Sequence, residues 1–158
     1  MKKTTLILSI CTVLFLALTS AALQTEEICD AKGLKNKTKE KLDPYKYDSG
    51  KLTKVTYKVK AQNKETEVPV FIGEKYRMVF NTEALTKNVV ISVYSKDKET
   101  KDRKALWTSK DQPAGTKVFY FEPAKRAMKY FVDYEIPAVS DSAFINKQEC
   151  VVFMLGYK

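Results

Sequence analysis

Every second residue is apolar in Val55, Tyr57, Val59 and Ala61, with Lys54, Thr56, Lys58 and Lys60 between them. A period of two with one wet face predicts a half-buried β-strand. Residues 66–72 predict a second strand, which Pro69 confines to an edge or a bulge because it cannot donate to a ladder. Gly73-Glu74 turns the chain into a third strand over 76–80. The dense apolar run 89–94 reads as a central strand, and further strands follow at 105–108, 118–121 and 130–136. The last strand covers 150–157. Between them lie a charged connection at 96–104, read as a mobile hairpin, a Pro/Gly turn at 111–115, Pro137 and a polar loop at 141–148. About eight short strands spaced by turns predict an all-β fold, a single antiparallel β-sandwich of jelly-roll type.

The N-terminal part has a different period. Ile28, Ala31, Leu34, Thr38 and Leu42 fall near helical spacing, which predicts a helix over 26–42. Glu26, Glu27 and Asp30 sit at its start and Lys35, Lys37, Lys39 and Lys41 toward its end, the polarity that suits the helix dipole. Pro44 stops it, and Gly33 weakens its middle. Upstream, Lys2 and Lys3 precede an apolar run to Leu18 and small residues at 19–22. That layout is a secretory signal peptide, its apolar core shorter than the ~20 residues a spanning helix needs. Three segments result: a signal peptide over 1–22, a helical arm over 23–48 and a β-sandwich over 49–158. The mature form carries no transmembrane segment and is periplasmic or secreted.

Export changes the reading of the cysteines. Cys11 leaves with the signal, and the bulky Ile10 before it does not fit a lipoprotein cleavage site. Cys29 and Cys150 remain, one near each end of the mature chain. Two cysteines in an oxidising compartment most economically form one disulfide. A redox or metal-binding pair is the weaker alternative, without Cys-x-x-Cys spacing or any histidine.

Charge adds less. The chain has 28 basic and 19 acidic residues, a formal charge of +9. Export argues against nucleic acid as the partner and favours anionic envelope polymers or lipid headgroups, although lysines spread among acids read first as a solubilising surface. Lys54, Lys58 and Lys60 are the candidate basic surface; on an edge strand the same lysines would block edge-to-edge aggregation.

The strand order from Val55 to Tyr157 resembles small exported jelly-roll modules, the GOLD-type lumenal domains and bacterial pre-peptidase C-terminal domains. The resemblance is carried by the central strand Val89-Val90-Ile91-Ser92-Val93-Tyr94, by Phe119-Tyr120-Phe121 before Tyr130-Phe131-Val132-Asp133-Tyr134, and by Cys150 on the closing strand. The chain departs from the pattern where a glycine before the penultimate strand is replaced by Lys125-Arg126-Ala127-Met128-Lys129. The resemblance implies a non-catalytic binding or cargo role.

Available chemistry points the same way. Without histidine there is neither the usual general base nor the commonest zinc ligand, and no phosphate-binding or nucleophile-elbow motif occurs. No metal site or cofactor is expected. Asp133, Glu135 and Asp141 keep a hydrolase as a remote alternative, though Asp133 and Glu135 fall on the strand face expected to hold solvated charge. Trp107, Tyr45 and Tyr47 are the candidates for stacking on a sugar, against the alternative that Trp107 is core and the tyrosines pack the arm. Asp141-Ser142-Ala143 matches a short periplasmic O-glycosylation motif at Ser142. The expected protein is a non-enzymatic binding or accessory module of the bacterial envelope that engages a protein partner through an edge strand or a loop end. A glycan-binding module is the alternative.

Overall fold

A computed structural model describes residues 29–124 and 127–158; the expected signal peptide and the start of the expected helix lie outside them. Helix α1 (Ala31–Glu40) begins later than the periodicity alone predicts, because Asp30 caps it. The Asp30 carboxylate accepts from the Gly33 N–H at 2.8 Å. Gly33 therefore occupies the first turn, where a Cβ would come within 2.1 Å of that carboxylate. The glycine makes room for the cap and does not break the helix. Leu34, Thr38 and, just past the helix, Leu42 are buried as the apolar stripe predicts.

Eight strands follow: β1 (Lys46–Thr56), β2 (Gln62–Pro69), β3 (Tyr76–Asn81), β4 (Val90–Tyr94), β5 (Ala105–Thr108), β6 (Val118–Phe121), β7 (Lys129–Ile136) and β8 (Gln148–Tyr157). They form two antiparallel four-stranded sheets, β1-β8-β3-β6 and β2-β7-β4-β5. This interleaved order is that of an eight-stranded jelly roll. The two sheets enclose one apolar core that includes Val55, Phe80, Ile91, Val132 and Phe153. As expected, β4 is central and β2, with Pro69 as its last residue, is an edge.

The first two strands depart from the sequence reading. β1 starts at Lys46, inside the expected arm, and ends at Thr56, so Val59 and Ala61 are exposed in the connection to β2. Tyr57 is the last residue of the alternation to be buried. β2 covers 62–69 and not 66–72, which leaves Phe71 and Ile72 in the following loop. Alternation in sequence marks which residues could face a core. The ladder to β7, in register from Gln62–Ile136 to Pro69–Lys129, decides which do.

The outer faces of the sheets are covered differently. Over the first sheet, α1 lays Leu34 and Leu42 on Val79, Cys150, Val152 and Met154. The Cys29–Cys150 disulfide joins the entrance of α1 to β8, with Cα atoms 6.5 Å apart and 121 residues of separation. Over the second sheet the cover is polar. Asp133, expected to be solvated, is 2% exposed, because Arg103 from the 95–104 connection reaches across to it and to Glu65. Asn63 donates to the same carboxylate at 2.9 Å, and the guanidinium carbon lies 3.9 Å from the centre of the Tyr94 ring. The charged connection is thus anchored through Arg103.

Candidate functional site

Antiparallel strands in this order place four connections at one end of the sandwich and three at the other. The first end contains the connections after β1, β3, β5 and β7. Leu85, Val89 and Val139 plug it. Backbone bonds tie the connections together: Val139 N–H donates to Lys58, Asn146 N–H to Tyr57 and Thr82 N–H to Lys117. At the centre is Glu149. Its carboxylate accepts from the Tyr57 hydroxyl, the Thr86 hydroxyl and the Thr86 N–H, each at 2.7 Å, and pairs with Lys147 at 2.9 Å. Burial opposes the charge, but the Thr86, Tyr57 and Lys147 bonds outweigh it and bring the pKa down to about 2. Burial and the same carboxylate push the Tyr57 hydroxyl well above its ordinary value. Glu149 thereby ties the β1–β2, β3–β4 and β7–β8 connections to one another.

Sequence reasoning missed Glu149 because it falls between the polar loop expected at 141–148 and the strand expected at 150–157. A signal existed: Glu149 shares parity with Val151, Phe153 and Leu155, so it falls in the inward stripe of β8.

The second end is open. A cleft of about 370 Å3 lies between the β2–β3 loop and the β6–β7 loop, with Tyr45, Tyr76, Glu122 and Tyr130 among its walls. Its polar wall groups serve the fold. The Tyr45 hydroxyl donates to Glu122 at 2.8 Å, and Arg77 pairs with the same carboxylate at 2.7 Å. These bonds from Tyr45 and Arg77 hold the Glu122 carboxyl below its usual range, against the effect of burial. The Tyr76 hydroxyl accepts from the Phe71 N–H at 2.9 Å. The rim is apolar and unburied. Phe71 is 77% exposed, Ile72 65% and Met128 71%. These are the three most exposed large apolar side chains among the described residues, and all three belong to this end.

Their exposure does not come from a loose backbone. Val70 is buried and its N–H donates to the Met128 carbonyl at 2.9 Å, extending the β2–β7 pairing past Pro69. Gly73 then turns the chain at φ +115°, with nothing within 4 Å of where a Cβ would sit. The loop is fixed at its base and presents Phe71 and Ile72 outward. The signal for this was in the sequence, since Phe71 and Ile72 follow Pro69 and precede Gly73, but apolar character placed them in a strand.

The candidate residues are scattered. Trp107 is half-buried and packs on the core, its ring 5.6 Å from Phe80 and nearly parallel to it, with Phe119 and Phe121 each 6.0 Å away. Tyr45 is buried under α1, its ring flanked by Arg77 at 4.4 Å and Lys158 at 4.5 Å. Tyr47 is 44% exposed, with Lys39 4.7 Å over its ring. The three aromatics form no common platform. Lys54 projects from β1, but Lys58 and Lys60 lie beyond its end in the connection, so the expected lysine ladder on one strand face is not built. Asp133 is held by Arg103, and Glu135 pairs with Lys110 at 3.1 Å. Asp141 accepts from the Ala143 N–H in the β7–β8 loop. No hydrogen bond joins these three acids, and among the described residues no group of His, Cys, Asp or Glu is placed to hold a metal ion. Ser142 is exposed in the same loop as Asp141.

No family model, no curated protein and no solved structure matches this chain.

Proposed function

We propose that this is a non-catalytic binding or accessory protein of the bacterial envelope, exported to the periplasm or beyond, that engages its partner through the open loop end. The observation that carries the reading is the asymmetry of the sandwich. One end uses its polar groups to seal itself, while the other holds three large apolar side chains in water on a fixed backbone. Exposed apolar surface without a structural use marks an interaction site.

The edge strands support the same choice. β5 and β6 are four residues long, β2 ends in Pro69 and carries Lys64, Glu65 and Glu67, and β1 is irregular between Tyr47 and Ser49. Short, charged or bulged edges discourage strand addition. The glycan alternative loses Trp107 and Tyr45 as stacking faces, which leaves Tyr47 alone. The disulfide fits export, and among the described residues no helix is long and apolar enough to cross a membrane.

A photo-crosslinking side chain placed at Phe71, and separately at Leu106 on the β5 edge, tests the reading in the native envelope. Adducts are expected from position 71. Adducts from position 106 alone would show that an edge, and not the loop end, is the binding surface.

A further inference from the structure

Charge is unevenly divided along this chain. Between Asp30 and Lys64 there are eleven lysines and four acids, an excess of seven. The rest of the described chain, 65–124 and 127–158, holds thirteen basic and thirteen acidic residues and is neutral. Counting Glu26 and Glu27 with the first segment still leaves an excess of five. The two parts also use their cations differently. All six ion pairs among the described residues take their cation from the neutral part, and none of the eleven lysines pairs with a described carboxylate.

The fold gathers this excess on one flank. β1 and β2 are edge strands of the two sheets, and α1 lies over the first sheet beside β1. Two ties fix the alignment. Cys29, at the entrance of α1, is bonded to Cys150, whose partner on β1 is Lys54. Near the other end of the helix, Lys39 stands 4.7 Å over the ring of Tyr47, close to the start of β1. Lys32, Lys35 and Lys39 are spaced three and four apart and share one helical stripe, which Lys39 turns toward β1. Across the edge, the Lys64 ammonium on β2 donates to the Lys54 carbonyl at 2.7 Å, and Lys51 donates to the Thr66 hydroxyl at 3.3 Å. A line of ammonium groups therefore runs from α1 along β1 and over to β2. All of them are exposed except the half-buried Lys64, and Asp30 is engaged as the cap of α1.

The make-up of this line selects its partner. Lysine is a compact point charge without the planar fork with which arginine grips a single carboxylate or phosphate. Both described arginines, Arg77 and Arg103, are in ion pairs elsewhere. Lysine is also depleted at the cores of protein interfaces. Tyr47, the large side chain exposed along the line, is already covered by Lys39. Ammonium groups strung along an edge are complementary to a chain that repeats its own negative charges. Among such chains, the disulfide and the expected export favour a polysaccharide over a nucleic acid.

We propose that α1 and the β1–β2 edge form a second binding surface, for a linear anionic polysaccharide whose carboxylates or phosphates meet Lys32, Lys35, Lys39, Lys51, Lys54 and Lys64. Lys51 and Lys64 make one printed bond each and keep further N–H donors for the polymer. The surface is independent of the loop end, and only the choice of polysaccharide leans on export.

The test is fluorescence anisotropy of labelled alginate, a polyuronate, titrated at low salt with protein purified from its producing cell. The wild type should bind, and more weakly as salt rises, because counterions compete for the polymer. The triple variant K32Q/K35Q/K39Q keeps good helix formers on α1 and should lose about tenfold or more in affinity. K96Q/K98Q/K101Q removes the same charge from the connection over the other sheet and should change affinity less than about twofold. Phe71→Ser should leave it unchanged. Thermal melting checks that each variant is folded. Failure of the wild type to bind, or equal losses from the two triple variants, would overturn the proposal; equal losses would mean that net charge alone acts. A loss with Phe71→Ser would place the polymer at the open end and overturn it too. Recovery of the protein from the cytoplasm with Met1 intact would overturn the choice of polysaccharide and assign the lysine line to a nucleic acid.

Discussion

The two ends of the sandwich are built from the same kinds of residue and use them in opposite ways. At the closed end a carboxylate that enters the inner face of β8 is surrounded by Tyr57, Thr86 and Lys147 and pins three connections together. At the open end a carboxylate of the same type, Glu122, is held by Tyr45 and Arg77 in the wall of a cleft, and the apolar side chains beyond it point to water. The lesson is that burial and exposure of large side chains are not set by residue type. They follow from whether the backbone delivers a side chain between the sheets. The closed end contributes stability, and the open end keeps surface that folding does not use.

If that division holds, substitutions at the two ends should separate stability from binding. The largest effect is expected from the covalent closure near the sealed end. Replacing Cys29 and Cys150 by serine should cost roughly 2–5 kcal/mol in denaturant unfolding, because the bridge restricts a 121-residue loop in the unfolded chain. Partner binding measured well below the melting temperature should survive. Loss of binding in folded protein would show that α1 also shapes the open end.

Next in size is Glu149→Gln, which removes the charge that Thr86, Tyr57 and Lys147 converge on; the expected loss is about 2–4 kcal/mol. The same group predicts a pH dependence. Its folded pKa, about 2, lies below the ordinary 4.5 it takes in an unfolded chain. The unfolded chain therefore binds the proton more readily, and stability rises with pH across that window. The wild type should lose stability as pH falls from about 4.5 toward 2. The Gln variant should lose correspondingly less. An identical acid profile in both would mean that other carboxylates govern acid unfolding.

A smaller effect belongs to the open end. Gly73→Ala meets no atom, but it places a side chain at φ +115°, so a cost of about 1–2 kcal/mol is expected from backbone strain alone. A displaced loop should also weaken binding. The smallest stability effect is expected from Phe71→Ser, within about 0.5 kcal/mol of the wild type, because so exposed a side chain contributes little to the core. Measured by thermal melting, a larger loss would mean that Phe71 covers the cleft and supports the fold.

By itself the sequence determined what is local and periodic. The turn residues and period-two runs mark β3 to β8 closely, and the count of cysteines, read with the expectation of export, anticipates the Cys29–Cys150 bridge. The stripe Leu34–Thr38–Leu42 marks the face that this segment lays on the sheet. Tertiary structure decided what depends on long-range register. Val55 and Val59 have the same parity and composition, yet only Val55 lies on a strand paired with β8. Asp133 is polar on an outward face, and it is buried because Arg103, 30 residues away, folds across it. Phe71 and Ile72 look like core in sequence, and they stand in water because the pairing of this segment ends with the Val70–Met128 bond. Period and composition are properties of neighbours along the chain. Burial is a property of which strands meet, and the candidate site exists only where one of them stops short.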